Sequence, residues 1–93
     1  MEEKFIAAWF ANQEKARALG VRLRPVAAED AMKTAHRALS GNRISDGFAV
    51  LADKGRLDLS LEALAVDKRF IGLFTDEEAN NALMRLLDAG YRF

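Results

Sequence analysis

The chain has 93 residues, of which 51% are hydrophobic and 30% charged. That fits one small domain over residues 1–93 and excludes a disordered chain, which lacks this density of Phe, Leu, Val and Ile. A formal net charge of zero excludes a whole-molecule field for nucleic acid or anionic membranes, and the absence of cysteine excludes disulfides and thiolate chemistry.

The zero conceals an asymmetry. Residues 1–43 carry eight Lys/Arg against five Asp/Glu, and residues 44–93 carry six against nine, so the halves are +3 and −3. Between residues 15 and 43 there are seven basic side chains, opposed only by Glu29 and Asp30.

In chain order, a first helix is expected over residues 2–19. Phe5, Trp9, Ala16 and Leu19 follow the rhythm of one face, and Glu2 and Glu3 suit the positive end of its dipole. Ile6 and Phe10 widen the apolar arc. Burial in the core is the plainest account of that width, and the alternatives are a dimer seam through Phe5, Ile6, Trp9 and Phe10 or a partner groove.

Val21-Arg22-Leu23-Arg24-Pro25 reads as an extended connector, because the residue before proline is driven out of the α region. Pro25 is expected to open the second helix, where its missing N–H is harmless. Ala28, Ala31, Met32, Ala35, Ala38 and Leu39 then share one face, small enough to let another helix approach closely.

Gly20, Gly41, Gly55 and Gly90 each follow an apolar-periodic stretch, where a left-handed C-cap places glycine. Ser45 is expected to cap a third helix ending near Lys54. Leu57, Leu59 and Leu61 alternate, but a lone strand has no partner. Ser60 therefore reads as the N-cap of a short fourth helix, with Leu59 and Leu64 as its staple, followed by a turn carrying Phe70, Ile71 and Leu73.

Thr75-Asp76-Glu77-Glu78 has the form of a reciprocal capping box. The last helix is expected to bury Ala79, Ala82, Leu83, Leu86 and Leu87, and Tyr91 and Phe93 to fold back. The fold class is therefore all-α, a compact orthogonal or irregular bundle of five to six short helices. Trp9, Leu39, Phe48, Leu51, Leu64, Phe70, Leu83 and Leu87 are its expected core.

Chemistry is sparse. His36, the single histidine, has Ser40 four residues on, but that pair lacks a third member and an oxyanion hole. One histidine without cysteine does not make the usual zinc site, and Asp58, Ser60 and Glu62 lack the glycine of a calcium loop. No glycine-rich phosphate loop is present. No catalytic, cofactor-binding or metal-binding residue is therefore assigned.

A helix-turn-helix centred on Gly41 fails as a reader. It puts Arg37 where a small residue is needed, and its second helix carries no Arg, Asn or Gln for base edges. Ala31-Met32-Lys33, Leu64-Ala65-Val66-Asp67 and Leu73-Phe74-Thr75-Asp76-Glu77-Glu78 together resemble part of the C-terminal helical segment of adenylosuccinate lyases. The same residues are common helix-capping material, the family's catalytic bundle is absent, and the chain is assigned to no family.

What remains is an expectation of a small, non-enzymatic, cytoplasmic interaction or regulatory module of bacterial or phage type, with another protein as partner. Its candidate contact residues are Arg22, Arg24, Arg37 and Arg43, with Trp9 and Phe10 as aromatic anchors. The alternative is nucleic-acid binding by the basic stretch of residues 15–43, through phosphate contacts.

Overall fold

A computed structural model describes residues 1–92. Five α-helices follow one another: α1 (Glu2–Ala18), α2 (Ala31–Ser40), α3 (Phe48–Asp53), α4 (Leu61–Ala65) and α5 (Asp76–Asp88). Single 3-10 turns cover Ala28–Asp30, Leu57–Leu59 and Ile71–Leu73, and the described residues contain no strand. The all-α irregular bundle expected from the sequence is what the chain forms.

Apolar spacing accounts for most of the assembly. Phe5, Trp9 and Ala16 of α1 are buried on one side, and Ala31, Ala35 and Leu39 of α2 are fully covered. The small α2 face lets α2 lie against α5, whose Ala82 is also fully buried. Two apolar clusters result. One gathers Phe5, Trp9, Ala35, Leu39, Leu61, Leu64, Phe70 and Phe74. The other joins Ala16, Val21, Phe48, Leu51, Leu57, Leu59 and Leu86. The Phe5 ring meets Phe70 and Phe74 edge-on, with centroids 5.5 and 5.2 Å away, a favoured aromatic geometry.

Local signals near α4 and α5 hold. The Ser60 hydroxyl accepts the Ala63 amide at 3.1 Å, and residues 57–59 are a turn rather than a strand. Thr75 and Glu78 form the reciprocal box, with bonds of 3.1 and 2.9 Å. Gly20, Gly55 and Gly90 take positive φ after their helices. Tyr91 packs against the second cluster, while Phe93 lies outside the described residues.

Four expectations need correction. Pro25 does not open α2. The chain stays extended through Ala27 and turns at Ala28–Asp30, so α2 begins at Ala31. Ser45 does not cap α3, which starts at Phe48, because the Ser45 hydroxyl and amide are both spent on Glu62.

Gly41 is no left-handed cap: its φ is −82°, and side chains from α5 meet the carbonyls at the end of α2 instead. Asn81 donates to the Leu39 carbonyl, and Arg85 donates to those of Ala38 and Gly41. The left-handed glycine is Gly47, at φ +77°. A Cβ there would come 2.5 Å from Leu23 Cδ2, so both conformation and space require glycine.

Leu83 and Leu87, finally, are not core residues; they are 36% and 50% exposed. The buried line of α5 is Glu78, Ala82 and Leu86. It is rotated from the apolar reading because Glu78, Asn81 and Arg85 have polar work to do at α2.

Candidate functional site: a cleft with an arginine rim

Between α1 and α2, residues 21–27 cross the surface without regular structure, as the Arg24-Pro25 step demands. This strap buries Val21, half-buries Leu23 and Val26, and exposes Arg22 and Arg24. Its Val21 amide bonds the Ala16 carbonyl at 3.0 Å, and its Arg24 amide bonds Asp46 Oδ2 at 2.8 Å.

Beneath the strap is a cleft of about 220 Å³. Trp9, Leu23, Val26, Leu51, Leu59 and Leu61 form its apolar lining, and Arg24, Thr34, Ala38, Ser45 and Asp46 reach it from α2, the strap and the 41–47 loop. A second, shallower groove adjoins it, sharing Ala38, Ser45 and Asp46 and adding Arg37 and Arg43.

The loop that carries Arg43 is held from below. Glu62, fully buried on α4, accepts the Ser45 amide at 2.9 Å and the Ser45 hydroxyl at 2.5 Å, and pairs with Arg85 at 3.3 Å. Arg85 is itself only 10% exposed, so α5 fixes the end of α2 and the loop together. A buried carboxylate and guanidinium persist only when such hydrogen bonds compensate their lost hydration.

The predicted site residues thus divide. Arg24 lines the cleft and Arg37 and Arg43 line the groove adjoining it, while Arg22 is exposed on the strap nearby. None of the four guanidiniums has a carboxylate or hydrogen-bond partner among the described residues. Arg17, Arg56, Arg69 and Arg85 are paired, while exposed Arg92, like Arg22, Arg24, Arg37 and Arg43, has no such partner among the described residues. Asp67 beside Arg69 is held below the usual carboxylate range by that side chain's hydrogen bonds.

Trp9 is buried rather than projecting. Its ring lies 6.0 Å from that of Phe5, and it forms a wall of the cleft. Phe10 is half-buried and borders a depression with Pro25 and Val26. With Phe5 and Trp9 both in the core, a dimer seam along α1 keeps only Ile6 and Phe10 at its surface. The cleft, Thr34, Asp46 and Glu62 were not found from sequence. Their only prior signal was the short, proline-ended connector, which says that something must be crossed.

His36 takes a different role. Its Nδ1 lies 2.9 Å from both carboxylate oxygens of Glu78, and its ring packs beside Phe74. The Ser40 hydroxyl, four residues on, donates instead to the His36 backbone carbonyl. The His36–Glu78 pair therefore joins α2 to α5.

Glu78 feels burial, which raises its carboxyl. The Thr75 amide and hydroxyl and the His36 ring more than offset this and hold it below its ordinary 4.5. Among the described residues no His, Cys, Asp or Glu cluster is arranged to hold a metal, and no helix is long and apolar enough to cross a membrane. Compared with protein-family models, curated proteins and solved structures, the chain matches none.

Proposed function

We propose that this protein is a small non-enzymatic interaction module, regulatory in role, which works by binding a partner protein at the strap, the end of α2 and the 41–47 loop. One observation carries the reading: exposed Arg24, at an apolar cleft, and Arg37 and Arg43, in the groove beside it, have no carboxylate partner among the described residues. Unpaired guanidiniums beside apolar surface suit a protein interface, where Arg is enriched and aromatic or aliphatic pockets receive anchors. A cysteine-free chain fits a reducing compartment.

Nucleic-acid binding is the weaker reading. The short α3 exposes Ala49, Val50 and Asp53, none of which donates to a base edge, and an apolar cleft has no use in phosphate contact.

The test is affinity capture from native lysate, with and without nuclease, comparing wild type with a variant carrying Arg24→Glu, Arg37→Glu and Arg43→Glu. A stoichiometric protein retained by wild type and lost by the variant is expected. Equal recovery by both sinks the reading, and recovery that nuclease abolishes transfers it to nucleic acid.

A further inference from the structure

The cleft's lining restricts what enters it. Some of its polar groups are already engaged: the Ser60 hydroxyl donates to the Leu57 carbonyl at 2.7 Å and accepts from Ala63. Gln13 Oε1 accepts from Arg17. No buried side-chain nitrogen or oxygen among the described residues lacks a hydrogen-bond partner. Most of the lining is apolar, from Trp9, Leu23, Val26, Leu51, Leu59 and Leu61, and a polar group set against it would lose its water without compensation, so the buried part of an occupant is apolar.

Size narrows it further. At about 220 Å³ the space lies below the roughly 300 Å³ at which clefts begin to take drug-sized molecules. It suits a single bulky side chain better than a cofactor.

Charge selects the flanks. Arg24 stands at the cleft and Arg37 and Arg43 in the groove that adjoins it. The one acid in both linings, Asp46, is engaged with the Arg24 amide. What lies beside the buried side chain therefore meets an excess of positive charge, and like charges there would be repelled.

We infer that the cleft receives one bulky apolar side chain from an acidic segment of the partner protein, with the neighbouring carboxylates meeting Arg24, Arg37 and Arg43. This rests on the partner-binding reading above and names the chemistry of the partner's contact segment.

Trp9 is the only tryptophan and lines the cleft, so its emission reports occupancy directly. The probes are three capped, tryptophan-free decapeptides. One is built of Glu, Asp and Gly around a central Phe, the second has Ala for that Phe, and the third has Lys for the acids. The first should shift Trp9 emission saturably below millimolar concentration, and the other two should bind at least tenfold more weakly.

Thr34→Phe, which fills the cleft from α2, should abolish the response. So should the exposed-surface variant Arg24→Glu/Arg37→Glu, with helical circular dichroism unchanged. Equal binding of the Ala peptide overturns the anchor, equal binding of the Lys peptide overturns the charge selection, and no saturable response to the first peptide overturns both. A captured partner that is lost on arginine reversal but tolerates Thr34→Phe would leave the partner-binding reading standing and remove only this inference.

Discussion

At Glu78 two residues converge on one carboxylate, Thr75 through its backbone amide and His36 through Nδ1, while the Thr75 hydroxyl accepts the Glu78 amide. Because the folded carboxyl ionises more readily than the unfolded one, the unfolded state binds more protons in acid. Its contribution to stability is complete above the ordinary value of 4.5 and is lost as pH falls through the lower folded value. Urea unfolding at pH 7 and pH 3 should show wild type losing more stability than Glu78→Gln, so that the two converge in acid. Thr75→Ala should cost about 1 kcal/mol at neutral pH, through the lost cap.

Glu62 and Arg85 make a similar case deeper in the protein. Glu62→Gln leaves the buried Arg85 without its counter-charge and should cost about 3 kcal/mol in urea unfolding. Neither pairing was legible in the sequence, where the partners stand 42 and 23 positions apart. The capping box was legible, because all of it lies within four consecutive residues.

Elements show the same division. The strap was readable as extended because Pro25 restricts its neighbour, a local steric effect. Where it is held was not readable, since Asp46 reaches the Arg24 amide from a distant loop. Asp46→Ala should speed hydrogen exchange at the Arg24 amide and leave the middle of α5 protected, because local opening follows the loss of a local tie. Gly41 and Gly47 carry the complementary lesson. A glycine after a helix suggests a left-handed cap, but at Gly41 α5 side chains satisfy the helix end and an ordinary φ suffices. Gly47→Ala should destabilise by at least about 1 kcal/mol from conformation alone, and the close approach of Leu23 adds to it.

Across the whole molecule, two apolar clusters meet through Val66, which packs on both, while one flank of α5 remains uncovered. Leu86→Ala, at a fully buried position, should cost about 2–5 kcal/mol. Leu83→Gln and Leu87→Gln, at exposed positions, should stay within roughly 0.5 kcal/mol of wild type. Thermal unfolding of the three variants measures the difference, and equal losses would return Leu83 and Leu87 to the core.

From sequence alone came the helical class, the ends of α1, α4 and α5, and most of the core, including Trp9, Leu39, Phe48, Leu51, Leu64 and Phe70. These depend on the 3.6-residue period, on caps formed within a few residues, and on the preference of large apolar side chains for burial. Tertiary structure alone decided which face of α5 turns inward, how the end of α2 is satisfied, and that Arg24, Arg37 and Arg43 share a surface with a cleft. Those outcomes depend on groups far apart in the chain. A buried charge or an open helix end must find its partner wherever the packed elements bring one, and no local periodicity records where that is.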